Sequence, residues 1–493
     1  MNARTAAAEG WSLRESVFGA ALFLVALAPR LGAAAFAFRG EAVWDGHYYD
    51  FGARRIAAGL GYSEDRVVDG VTTWHAWCHY PVGYSAFLAF FYRLFGPSTQ
   101  VAALVNATVG AALAVVTWLL ARHGLSTARA RIAGVFVAIH PGMILYAALV
   151  MTEPLAALLT LLAFLVAVRD PRPWRGIVLG GVALGVAALV RPQALLCAPF
   201  LALLVPQTQA SRWIALRRSA VAAACACAVA LVPVLPWTAR NYHVMDGPAL
   251  VSTNAGWNLA IGAFPRATGR FEALHSSDGC SEVTGQVQQD RCWFSYGVGE
   301  IRKSPLRWLS LIPAKLGFTF DHESFEVEYL HESRPALWSD ARREQARDVI
   351  SAFHRALLGA AALGCVAYRL RGAPGAAQGA VLAVVAILFL VAVSSAAPTF
   401  WPLALVAAVV PWLPLPGRAA WPPALLLPVA LLATTIATHA VFFGEDRYHV
   451  VVTPVLALLA AAGLRSGHTK NPAPVVTESV ASAVSERGAS VTK

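Results

Sequence analysis

Charge is what this sequence lacks most. Only 14% of its 493 residues are charged, against 57% that are hydrophobic, and the mean hydropathy is +0.56. A soluble protein carries nearly twice that charged share, about 25%. Apolar runs recur along almost the whole length, the mark of a polytopic membrane protein. P-loops, paired CxxC motifs and HExxH are missing as well, so cytosolic nucleotide chemistry and zinc proteolysis find no support. The net charge is +11, yet the arginines come in short clusters between apolar runs. No contiguous basic surface is left for nucleic acid, and the clusters read as loops anchored on the cytoplasmic side. Cysteine is sparse, and the seven present form no metal motif. Cys197, Cys225, Cys227 and Cys365 fall inside apolar runs as small packing residues. Cys280 and Cys292 share one polar loop and can pair if it faces an oxidising compartment, with Cys78 left over on the same side.

Sidedness follows from the arginines. The first apolar run, 17–38, carries Pro29-Arg30 inside it and follows Glu9 and Glu15, which suits a retained helix rather than a cleaved signal. The short aromatic piece from Pro81 to Phe95 contains Arg93. Were it to cross, Arg122, Arg129 and Arg131 would lie outside, so it is read as an interfacial helix. The remaining spans then fall near 99–121, 132–150, 155–168, 176–190, 193–206, 219–237, 353–368, 379–395, 400–414, 421–442 and 449–464. The expected fold is an all-α polytopic bundle of about 11–13 transmembrane helices, several shorter than the roughly 20 residues a crossing needs. Both termini are expected in the cytoplasm, with an N-tail at 1–16, a membrane domain at 17–465 and a disordered Ser/Thr/Ala/Val-rich tail at 466–493. Polar mass concentrates outside, in loops 39–98 and 238–350, with small corners at Glu153, Arg191 and 445–448.

Five outer places carry a recognisable order. Asp45 and Tyr49 sit in WDGHYYDFGARRIAAGLGYS, and His79 opens HYPVGYSAFLAFFYRLFG. Thr152-Glu153-Pro154 forms an acidic corner. Pro236-Trp237 leads into Arg240-Asn241-Tyr242 and then SerThrAsnAlaGlyTrpAsnLeu at 252–259, and Asp446-Arg447-Tyr448-His449 precedes the last span. In this order and sidedness the chain resembles the GT-C membrane glycosyltransferases of the bacterial family 39 and family 83 kind, among them protein O-mannosyltransferases and the aminoarabinose transferase acting on lipid A. It departs from them at Val82, where a second Pro is usual, and at Gly46, where some relatives carry a second acid. The loop over 260–350 matches no known acceptor-binding domain.

The resemblance implies a plasma-membrane enzyme with its active site on the extracytoplasmic face. It would move a sugar from a polyprenyl-phosphate donor to an acceptor hydroxyl on a lipid, a glycan or a protein. Asp45 is implied as the general base of an inverting displacement, with Trp44, Tyr48 and Tyr49 desolvating it and raising its basicity. The bland alternative is that Asp45 caps a helix over 46–58 that Gly59 ends. Arg447 and Arg240, with Tyr448 and Asn241 beside them, are the candidates for the donor phosphate, ahead of Arg191. Tyr49 and Glu153 would line the site, Glu153 otherwise being a helix-start acid favoured by the dipole. His79 is a lesser candidate for phosphate, or for a metal shared with Asp45 or His243. No metal set is expected at the site, a divalent cation being the lesser alternative. His75, His140 and His439 receive no role. The acidic run Asp321, His322, Glu323, Glu326 and Glu328 is read as a solvated loop face, with metal binding a minor alternative. Two competing functions stand beside this one. A flippase or transporter would need midplane charges and an internal repeat; charges inside the spans are few and no clear repeat is present. A pyrophosphate-donor oligosaccharide transferase would need several acids around a metal.

Overall fold

The first apolar run folds as helix α1 (Leu13–Ala37), and the buried Arg30 inside it explains how a charge is tolerated there. Its guanidinium donates to the carbonyls of Ala26 (2.8 Å), Ala138 (2.9 Å) and Val137 (2.9 Å). The last two are C-terminal carbonyls of a neighbouring helix, the partners that an arginine in a bilayer needs. The computed structural model describes residues 12–37, 40–206, 211–245, 247–275, 277–370, 379–380, 383–387, 389–390, 399–413 and 421–464. The tail at 466–493, residues 1–11 of the N-tail, and 381–382, 388 and 391–395 of the span expected at 379–395 lie outside the described residues.

The first outer loop holds helix α2 (Asp45–Ala57) and an antiparallel hairpin, β1 (Ser63–Val68) with β2 (Val71–Ala76), paired from Ser63–Ala76 to Val68–Val71. Helix α3 (Val82–Phe95) follows, only 14 residues long, which suits the interfacial reading. Helix α4 (Thr99–Ala121) runs through the middle of the bundle against α1. Helix α5 (Thr127–Ile139) stops at His140-Pro141, where proline cannot continue the ladder, and continues after a 57° bend as α6 (Pro141–Leu145) and its 3-10 extension. Helices α7 (Glu153–Arg169) and α8 (Pro173–Val190) are joined by a turn at Asp170, and a 3-10 helix, Pro192–Leu204, follows them. Helix α9 (Arg212–Leu231) keeps Trp213, Leu216 and Val221 exposed, an apolar face turned outward as lipid contact demands.

The long polar region after α9 is folded. It forms α10 (Leu235–Val244), α11 (Ala255–Ile261), α12 (Gln286–Lys303), α13 (Pro305–Ser310), α14 (Ile312–Phe320) and α15 (Phe325–Ser333). Cys280 and Cys292 form a disulfide there, and Cys78 is free and buried. Helix α16 (Asp340–Arg369) returns to the bundle, followed by α17 (Trp401–Val409), α18 (Pro423–Val441), a 3-10 helix at Asp446–Val452 and α19 (Thr453–Gly463). Among the described residues, six helices are long and apolar enough to cross a membrane, or seven if the bent pair at 127–148 is one span. The other expected crossings that are described appear as shorter helical pieces. The protein is an integral membrane protein with a largely helical bundle.

The acidic run is not a solvated face. Asp321 accepts from the backbone N–H of Phe400 and of Trp401, both at 2.6 Å, and so caps the start of α17. Glu323 and Glu326 are 1% and 0% exposed. The segment looked solvated because its charges are dense; the fold instead threads it between α16 and the 446–452 turn.

Candidate active site

Asp45 is placed by an unusual backbone. Trp44 precedes it at φ 50°, ψ −131°, in the left-handed half of conformational space that a bulky residue rarely enters. Its ring is held against Phe325 (5.4 Å) and edge-on to Tyr329 (5.9 Å). Gly46 lets this corner close, since a Cβ there would stand 2.4 Å from the Tyr329 hydroxyl and 2.9 Å from the Val150 carbonyl. A second acid at 46 has no room. Asp45 is therefore the first residue of α2 and not its cap, and Trp44 offers no side-chain cap either.

The Asp45 carboxylate faces a cavity of about 510 Å³. Tyr80 donates to its Oδ1 at 2.7 Å, and Arg447 Nη1 to its Oδ2 at 2.5 Å. Arg447 reaches Glu445 through Nε at 2.5 Å and the Tyr448 hydroxyl at 3.3 Å. The guanidinium lies over the rings of Phe325 and Tyr448, 5.1 Å from each. Buried Glu153 pairs with Arg191 at 2.7 Å, and the Arg191 guanidinium lies 5.4 Å from the same Tyr448 ring. Tyr448 is in turn stacked on His439 at 4.1 Å. The wall is completed by His79, Gln193, Asn254, Trp257, Asn258 and the apolar Phe442-Phe443.

The electrostatics reverse one expectation. Burial pushes the Asp45 carboxyl up, but Arg447, the Tyr80 hydroxyl and His79 together outweigh it and leave it below the ordinary aspartate value. Raised basicity from desolvation alone does not describe this state. Glu445 behaves oppositely: burial pushes it up to about 7, with Arg447 opposing and Asp45 and Asp446 adding to the rise. Burial lowers His79, and Asp45 opposes that.

Asp45, Tyr49, His79, Glu153, Arg447 and Tyr448 thus line one cavity. Arg240 and Asn241 do not. Arg240 donates to the carbonyls of Trp77 (3.0 Å) and Tyr62 (2.6 Å), and Asn241 to the carbonyl of Ala249 (3.1 Å). Arg240 fastens α10 to the residues flanking the hairpin and Asn241 ties it to the segment that follows, while Arg191 lines the cavity. The RNY signature marked a structural staple because an aromatic-flanked arginine has the same local pattern in either role. His243 is outside the cavity lining, so a His79–His243 metal pair is not formed there. Tyr80, Gln193, Glu445 and His439 were not singled out as site residues; only Tyr80 and Glu445 had a signal, as neighbours of His79 and Arg447. Trp257 and Asn258 lay within the 252–259 motif.

Residues 79–237 match the family of dolichyl-phosphate-mannose-protein mannosyltransferases. No curated protein matches the sequence. Among solved structures, the oligosaccharyltransferase AglB from Archaeoglobus fulgidus, in complex with an inhibitory peptide and a dolichol-phosphate, is 14% identical with a TM-score of 0.41, over 92% of this chain and 50% of that one. ArnT from Cupriavidus metallidurans bound to undecaprenyl phosphate is 17% identical with a TM-score of 0.35, over 91% of this chain and 77% of that one. The chain spans about half the length of the archaeal structures it matches.

Proposed function

We propose that this chain, whose residues 79–237 match the mannosyltransferase family, is a membrane glycosyltransferase that uses a polyprenyl-phosphate sugar. It transfers the sugar to an acceptor hydroxyl at the extracytoplasmic face of the plasma membrane, and both chain termini lie in the cytoplasm. The observation that carries this reading is the pairing of Asp45 with Arg447 beside a second guanidinium, Arg191, in one cavity with apolar walls.

The reaction needs a carboxylate near the acceptor oxygen and fixed positive charge near the leaving phosphate. The acceptor oxygen attacks the anomeric carbon, the bond from that carbon to the phosphate oxygen breaks, and the polyprenyl phosphate leaves with the electron pair. The acceptor proton passes to Asp45, and one displacement inverts the anomeric centre. In the substrate-free state Arg447 holds Asp45 ionised but weakly basic. A donor phosphate competes for that guanidinium, and as Arg447 turns to the phosphate the Asp45 carboxylate loses its counter-charge and becomes the stronger base. Tyr80 keeps its orientation throughout. Arg191, already paired with Glu153, adds charge at the same wall.

The experiment is transfer by purified protein in lipid, with a panel of polyprenyl-monophosphate sugars and cell-envelope extract as acceptor, following release of carrier phosphate. Asp45→Asn is expected to lower turnover by about 10²–10⁴. Arg447→Lys keeps the charge but loses the fork of donors and is expected to lower kcat/KM by about 10²–10³. No turnover of any donor by the wild type, or equal turnover by Asp45→Asn, overturns the reading.

A further inference from the structure

The 3-10 turn at 446–452 has two sides. Arg447 and Tyr448 line the cavity, while Asp446 and His449 point into the protein. On that inner side four segments bring His140, Glu323, His354 and His449 together, each 0% or 1% exposed. His140 comes from the break between α5 and α6, Glu323 from the link between α14 and α15, and His354 from α16.

The open valences of His140, Glu323 and His354 converge, and the His449 ring stacks on that of His354 with centroids 3.8 Å apart. The His449 Nδ1 lies 2.7 Å from the Thr319 carbonyl and His354 Nε2 2.9 Å from the Phe320 carbonyl. A carbonyl only accepts, so each of these nitrogens carries its ring's proton, and His449 Nε2 and His354 Nδ1 are left with lone pairs. Neither of those two atoms, nor His140 Nε2, nor either Glu323 oxygen, has a hydrogen-bond partner. His140 Nε2 and His449 Nε2 stand 3.9 Å from opposite oxygens of Glu323. That is too far for hydrogen bonds and close to the spacing of about 3.4 Å between ligand atoms around one tetrahedral zinc. Ligand atoms of His140, Glu323 and His354 all lie within 4.8 Å of one another.

Charge makes the same demand. Glu326 is buried three residues on, its carboxyl against that of Glu323 and without any other side-chain partner. Among the described residues no lysine or arginine is ion-paired with either glutamate. Two buried carboxylates without a cation are strongly disfavoured. A proton shared between them would neutralise one charge and leave the imidazole lone pairs unmet. A divalent cation answers both, and carbonyl-anchored imidazoles are the usual outer support of a metal ligand. His140 has the loosest tie, a 3.4 Å contact from the Met143 N–H to Nδ1, which ligation through Nε2 would replace.

We propose that His140, Glu323 and His354 form a structural site for a zinc-class divalent cation, with the His449 ring stacked on His354 and Glu326 balancing the charge. Through that stack the cation clamps the 446–452 turn from beneath and so fixes Arg447 at the cavity. It sits outside the cavity and takes no part in transfer.

The test uses the full chain, free of any affinity tag, in lipid nanodiscs. Elemental analysis after extensive dialysis is expected to find about one zinc per chain. Protein supplied with Co²⁺ instead is expected to give the intense visible absorption of a four-coordinate site. Glu323→Gln and His354→Gln are each expected to lower zinc occupancy at least tenfold. Should those variants fail to fold, X-ray absorption on the wild type reads the site directly, and a shell of imidazole nitrogens with one carboxylate is expected. A wild type that retains no metal and shows no cobalt spectrum overturns the proposal, as does metal retained in full by both folded variants. A transfer assay on the same preparation separates the two claims: bound zinc without sugar transfer supports the site and counts against the function above, and transfer without zinc does the reverse.

Discussion

Arg447 sits between two carboxylates and lowers both, yet they end on opposite sides of their ordinary values. It holds Asp45 ionised, whereas burial keeps Glu445 protonated up to about 7 despite it. The Glu445 shift has a consequence for stability. Its folded value near 7 lies above the ordinary 4.5, so the folded state binds that proton more tightly than the unfolded chain does. The stabilisation is complete below about 4.5 and is lost as pH rises through 7. Glu445→Gln removes the dependence: relative to wild type its melting temperature is expected to be higher at pH 8, with the two converging near pH 4.5. Melting curves of both proteins across that range check it, and a constant offset at every pH would sink the assignment.

The 446–452 turn is the element on which the site depends. Asp446 Oδ2 accepts from Ser324 N (2.5 Å), Ser324 Oγ (2.8 Å) and Phe325 N (3.0 Å). One carboxylate thereby ties the turn to the start of α15, and Phe325 is the ring under Arg447. Asp446→Asn weakens three charge-assisted bonds, each contributing about 1.5–3 kcal/mol at most. The expected result is a lower melting temperature together with a raised KM for the donor, because Arg447 loses its footing while Asp45 stays in place. Melting curves and donor titrations measure the two effects, and a change in kcat with KM untouched would argue that the turn acts otherwise.

At the scale of the whole molecule, sidedness rests on the arginine clusters and is open to direct measurement. The hairpin tip at Asp69 and the α7–α8 turn at Arg172 are both exposed, and the expected topology puts them on opposite faces. Asp69→Cys in intact cells is expected to react with a membrane-impermeant maleimide, and Arg172→Cys only after permeabilisation. The opposite pattern would invert the topology and move the cavity to the cytoplasmic side.

Composition and periodicity determined the class of this protein, since apolar runs and arginine clusters act through lipid and need no partner segment. Motif order along the chain also picked out Asp45, Glu153 and Arg447. Tertiary structure alone decided what these groups do to one another. Asp45 and Arg447 are 402 residues apart, and no local pattern reports that their pairing depresses the very basicity that neighbouring aromatics suggested. The same limit hid the difference between Arg240 and Arg191, of which only Arg191 turns to the cavity. It also hid the burial of Glu323 and Glu326. A dense acidic run reads as solvated until the fold brings three histidines from distant helices against it, because burial is a property of neighbours in space.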